Sequence, residues 1–102
     1  MNNSTPIVWI IVLHWRGVEH TKACLRSLKN LDYANYRILL VDNGSPENDS
    51  KKLVSQFKDI TALRLDQNYG YTGGNNAGID YCISRDADYV WLLNNDATGS
   101  PH

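Results

Sequence analysis

The chain has 102 residues, 42% of them hydrophobic and 21% charged, with a formal net charge of -1. That is the composition of a single globular domain, and it offers no basic field to attract nucleic acid or an anionic membrane surface. No apolar run approaches the roughly 20 residues that span a bilayer, and Ile7 to Leu13 lacks the basic flank and small-residue site of a secretory signal.

Ile7 to Leu13 is a continuous apolar run without alternation, which fits a strand covered on both faces. His14-Trp15-Arg16-Gly17 breaks it. Val18, Leu25, Leu28 and Leu31 then fall near one helical face, with Lys22, Arg26 and Lys29 on the wet side, so a helix is expected over roughly Glu19 to Asn30. Arg37 to Val41 reads as a second buried strand, ended by Asp42-Asn43-Gly44-Ser45. Ser45 or Asn48 would cap the next helix, with Pro46 at its first position and Leu53, Val54 and Phe57 as its apolar stripe. Ile60 to Leu65 alternates and reads as a third strand.

Asp66 to Gly74 is polar and glycine-rich. A third helix is expected from Thr72 or Gly73 to Ser84, with Ile79, Cys82 and Ile83 facing inward. Gly78 inside it costs roughly 1 kcal/mol against Ala, which a close backbone approach would explain. Tyr89 to Leu93 is short and rich in aromatic and branched residues, and reads as a fourth buried strand that stops at Asn94-Asn95-Asp96. Cys24 and Cys82 lie in apolar-periodic segments and read as buried reduced thiols. That fits a cytoplasmic setting. The three histidines show no metal-ligand spacing with them.

The alternation of strands and helices predicts an α/β fold, a Rossmann-like, mostly parallel sheet with helices on both faces. In such a sheet the carboxyl ends of the strands share one edge, where ligands bind. His14 to Gly17, Asp42 to Ser45, Asp66 to Gly74 and Asn94 to Asp96 should therefore converge. A carboxylate beside two amides at Asn94-Asn95-Asp96 suits a hard divalent cation that shares a phosphate. Glycines opening the third helix would expose N–H groups to phosphate, although neither the dinucleotide fingerprint nor a P-loop is present. His14 has no orienting partner near it in sequence, and no nucleophile–base arrangement is legible.

Val41-Asp42-Asn43-Gly44-Ser45, the segment from Asn68 to Ile79, and Trp91-Leu92-Leu93-Asn94-Asn95-Asp96 resemble, in order and spacing, the successive motifs of family 2 glycosyltransferases. The likeness is strongest to the rhamnosyltransferase-like branch and runs from about Ile7 to Asp96, with Cys24 to Leu28 fitting as well. It implies the N-terminal, nucleotide-sugar-binding portion of a GT-A fold, and inverting transfer of a sugar from a UDP-, dTDP- or GDP-linked donor to a saccharide or lipid-linked acceptor in polysaccharide biosynthesis. It also implies that Asp42 contacts base or ribose, with Asn43 beside it. The backbone near Leu13 and His14 flanks the base, and Gly73, Gly74, Asn75 and Asn76 line the donor pocket. Asn94 stands in place of the first carboxylate of the metal motif, and Asp96 holds Mg²⁺ or Mn²⁺.

No acid follows Asp96, so the acceptor's general base is not expected in this chain and no catalytic residue is assigned. The expected organisation is one domain over residues 1–102, the front part of a longer catalytic domain. Such a domain would be cytoplasmic or peripheral to the membrane, and apolar surface left for the rest would favour self-association. Asn94 in place of an acid favours a second reading, a non-catalytic α/β nucleotide-binding or interaction module.

Overall fold

The computed structural model describes residues 6–31 and 35–94, the side chain of Asn94 excepted. Four strands and three helices alternate along it. They are β1 (Val8–His14), α1 (Val18–Leu28), β2 (Tyr36–Asp42), α2 (Asp49–Gln56), β3 (Ile60–Arg64), α3 (Gly70–Ser84) and β4 (Tyr89–Asn94). The strands form one parallel sheet in the order β3-β2-β1-β4. The fold is thus α/β and Rossmann-like, as the alternation predicted.

The apolar strand runs are explained by helices on both faces. Ile10, Val12, Ile38 and Leu40 pack with Leu25 and Leu28 of α1 and with Leu53 and Phe57 beside them. The alternate residues Trp9, Ile11, Leu39 and Val41 pack on the other face with Cys82, Ile79 and Tyr81 of α3. The division follows from chirality. The path β1 to β2 to β3 steps one way, whereas β3 to β4 steps back across the sheet. Right-handed crossovers then put α3 opposite α1 and α2. Cys24 and Cys82 are both free thiols, on opposite faces, and burial raises the pKa of each.

Three expectations need correction. First, α3 begins at Gly70, two or three residues before the expected start, so Gly73 and Gly74 lie within its first turns rather than at its opening. Packing against the sheet accounts for Gly74 and Gly78. A Cβ on Gly74 would sit 2.6 Å from Leu13 Cδ1, and one on Gly78 would sit 2.9 Å from Val41 Cγ2. The absence of side chains lets α3 lie close on the sheet, as expected for Gly78. Second, α2 begins at Asp49 with Asn48 as its N-cap residue, which makes no side-chain cap bond, so Ser45 and Pro46 both belong to the turn before it; Ser45 Oγ still accepts the Asp49 N–H at 2.9 Å. Third, β4 is paired only with β1 among the described residues and is not a buried strand. Tyr89, Trp91 and Leu92 are 63%, 48% and 40% exposed.

Candidate functional site

Register places the predicted residues in a row. His14 of β1 pairs with Asp42 of β2, and Asp42 pairs with Arg64 of β3. On the other side, Leu13 pairs with Asn94 of β4. All four strand ends therefore lie along the carboxyl edge. The direction of strand addition reverses between β1 and β4, which makes that gap a topological switch point and the favoured place for a ligand. Leu13, His14 and the backbone of Asn94 border it directly.

The loops above this edge are tied together. The Asn43 N–H donates to the His14 carbonyl at 2.6 Å, and the Leu65 N–H donates to the Asp42 carbonyl at 2.8 Å. Asn43 is buried, and its side-chain amide donates to Asn68 Oδ1 and to the Gly70 carbonyl, at 3.2 and 3.0 Å. Its Oδ1 accepts the Tyr69 N–H at 3.0 Å. One amide thus fastens the β2–α2 loop to the start of α3. Gly44 completes the approach. It has φ +77°, and a Cβ there would lie 2.4 Å from the Gln67 carbonyl carbon, so any side chain would meet backbone.

Asp42 is fully buried. Its Oδ1 accepts the Ser45 N–H at 2.8 Å, and its Oδ2 accepts the Ser45 hydroxyl at 2.8 Å and the Ser50 N–H at 3.0 Å. Arg64 Nε stands 3.6 Å from Oδ2, while Arg64 Nη2 donates to the Ser45 carbonyl at 2.7 Å. A buried charge needs such a set of donors, and three hydrogen bonds use most of a carboxylate's lone pairs.

The helix splits the four residues expected around the donor. Gly74 and Asn75 share the buried stripe of α3 with Gly78 and Cys82. Gly73 and Asn76 instead line an open groove of about 640 Å³ beside Arg64, Tyr69 and Asp80. Tyr69 donates to Asp66, a bond that holds the phenol protonated and raises its pKa. A second depression, about 470 Å³, opens between the starts of α1 and α2, with Arg16 and Lys52 on its walls.

His14 has the partners that sequence proximity did not supply. It is fully buried, with Nδ1 2.6 Å from Thr21 Oγ1 and Nε2 2.8 Å from Asp49 Oδ2. Both partners could have been flagged. Thr21 occupies the inward stripe between Val18 and Leu25, and Asp49 stands one turn before Leu53. A polar residue in core register implies a polar partner.

Asn95 and Asp96 lie outside the described residues, so the expected metal ligand is not placed. Among the described residues, no three His, Cys, Asp or Glu side chains gather as a metal cage. A cation shared with a diphosphate requires only one or two protein carboxylates. Among the same residues, no helix is long and apolar enough to cross a membrane.

Comparison with known proteins adds a family. The family model described as Glycosyl transferase family 2 matches residues 9–102. A teichoic acid poly(glycerol phosphate) polymerase of Staphylococcus epidermidis is 29% identical over 89 residues, covering 78% of this chain and 12% of its own length. An Escherichia coli UDP-Glc:alpha-D-GlcNAc-diphosphoundecaprenol beta-1,3-glucosyltransferase is 29% identical over 92 residues, covering 82% of this chain and 36% of its own length. The chain therefore spans well under half the length of either relative.

Proposed function

Because the chain belongs to glycosyl transferase family 2, we propose that it forms the donor-binding part of an enzyme that transfers a sugar from a nucleoside-diphosphate donor to an acceptor hydroxyl, with inversion. The observation that carries this reading is the switch point between Leu13 and Asn94, with the tied loops after β2 and β3 beside it. A nucleoside diphosphate laid across this edge meets the β1 backbone at Leu13 and His14, then the loop around Asn43 and Gly44. The burial of Asp42 gives it the role of holding that loop, and Asn75 lies on the sheet side of α3 nearby.

Negative charge grows on the diphosphate as the sugar leaves. A Mg²⁺ or Mn²⁺ ion held at Asp96 would stabilise that charge as a Lewis acid. Asn94, without a charge, would contribute hydrogen bonding to ribose or to a metal-bound water. Both relatives are named for phosphate-bearing polymers or lipids, so a lipid-linked saccharide is the acceptor proposed, with a peripheral membrane location for the working enzyme. No carboxylate follows Asp96 within this chain. Donor binding without turnover is therefore expected, and sugar transfer by the purified chain would contradict it.

Titration with UDP, dTDP and GDP, each with and without Mn²⁺, tests the proposal. Metal-dependent binding that Asp96→Ala abolishes is the expected result. Binding indifferent to Mn²⁺ and to Asp96→Ala would favour a non-catalytic nucleotide-binding module, the reading that Asn94 in place of an acid supports. No binding to any of the three would refute the donor site.

A further inference from the structure

The last residue of β1 grips the neighbouring loop at both ends. The His14 carbonyl accepts the Asn43 N–H, at the start of the β2–α2 loop. The His14 ring holds Asp49, at its finish, through Nε2. An ionised Asp49 carboxylate only accepts, so Nε2 carries the hydrogen; the Thr21 hydroxyl can then donate to Nδ1. From Asp49 the constraint passes on. Its N–H donates to Ser45 Oγ, whose own hydrogen goes to Asp42 Oδ2.

We propose that His14 is a positioning residue for nucleotide binding. Its Nε2–H bond to Asp49 fixes the backbone of residues 43–48 against the donor's nucleoside diphosphate. This inference rests on the donor site proposed above. His14 touches no ligand in this role, because its side chain is fully buried.

The bond to Asp49, rather than the bulk of the ring, is the element that matters, and two amide variants separate these. In His14→Gln the amide N–H reaches the place of Nε2. In His14→Asn it reaches only the place of Nδ1, towards Thr21. Affinities for UDP, dTDP and GDP with Mn²⁺ are measured on the whole chain by calorimetry, and circular dichroism melts confirm that each variant is folded. His14→Gln is expected to stay within about threefold of the parent chain, while His14→Asn and Asp49→Ala fall by about tenfold or more, the usual loss when an outer hydrogen-bond partner is removed.

Equal affinities in His14→Gln and His14→Asn would overturn the proposal while leaving the donor site intact. A parent chain that binds none of the three nucleotides would overturn both. Should the variants fail to fold, long-range ¹H–¹⁵N spectra of the parent imidazole decide the matter. The Nε2–H pattern is expected in the free chain, with shifted His14 signals at saturating nucleotide. Signals that do not move on binding would overturn the proposal.

Discussion

Gly74→Ala tests whether the glycine-rich segment exists for packing. The added methyl carbon would lie 2.6 Å from Leu13 Cδ1, 2.8 Å from Asn43 Nδ2 and 3.0 Å from Asn43 Cγ. Removing a glycine from inside a helix gains about 1 kcal/mol. Against this stands overpacking of a closed interface, about 1–3 kcal/mol. Asn43 has no room to retreat without weakening its three hydrogen bonds to Asn68, Tyr69 and Gly70, each contributing about 1 kcal/mol. With one or two of these weakened, the net is a destabilisation of about 2 kcal/mol. For a domain of this size that corresponds to a fall of about 10 °C in Tm. Thermal melts of Gly74→Ala, Asn43→Ala and the double variant form the assay. The double variant should lose less than the sum of the two, because the collision runs partly through Asn43. A Gly74→Ala chain that melts higher than the parent would refute the reasoning, because helix propensity would then outweigh contact with the sheet.

Gly44→Ala should be worse, since its φ of +77° disfavours any side chain and the obstruction at Gln67 is backbone; a loss of about 3 kcal/mol or more in urea unfolding is expected. Cys82 supplies a pH limb. Burial pushes its thiol from 9.0 up to about 11, so the stability it contributes is complete below pH 9 and is lost as pH rises towards 11, by up to about 2–3 kcal/mol. Melts from pH 8 to pH 11 should show that limb in the parent and less of it in Cys82→Ala. In native chain at pH 8, iodoacetamide should label the half-buried Cys24 before Cys82, which is fully buried. Arg64→Met removes the guanidinium beside Asp42 and its bond to the Ser45 carbonyl. Arg64 is 42% exposed, and Asp42 keeps three hydrogen bonds, so a loss of only about 1 kcal/mol is expected in urea unfolding.

The strands were legible because helices on both faces leave no polar side, so β1 and β2 read as unbroken apolar runs. The helical stripe of α1 was legible for the complementary reason, whereas Val54 of α2 and Ile83 of α3, both expected to face inward, are 37% and 63% exposed. What failed were inferences in which one residue type serves two purposes. Gly70 read as loop because that is where glycine is usually found, yet it opens α3, and Gly74, expected to open the helix towards phosphate, lies inside it in close contact with Leu13 and Asn43. Trp91 and Leu92 read as buried because a half-covered edge strand has the same composition as a central one. The row His14, Asp42 and Arg64 follows from topology and was anticipated as a shared edge. The links among its side chains were not, because Thr21 and Asp49 are 7 and 35 residues from His14. No local periodicity reports contacts over such spans.

The same contacts determine how the site should be probed. His14, Asp42 and Asn43 lie where a donor would be read, yet each already has its polar atoms engaged by the chain itself. In the proposed donor site their part would be to hold backbone in place, and backbone amides at such an edge would suit a diphosphate whatever sugar it carries. On that proposal, sugar specificity would come from groups beyond this network. An alanine at Asp42 would therefore confound binding with stability, leaving the Ser45 and Ser50 donors buried and unpaired at roughly 1–3 kcal/mol each. Asp42→Asn keeps one acceptor oxygen and is milder, yet it too confounds the two, because its amide nitrogen cannot accept the N–H that the other carboxylate oxygen now takes. Evidence that Asp42 meets the nucleotide must come from affinity measured on chain shown to be folded, with the loss at Asp42 exceeding the loss at Ser50→Pro, which deletes one donor to the same oxygen without touching the carboxylate.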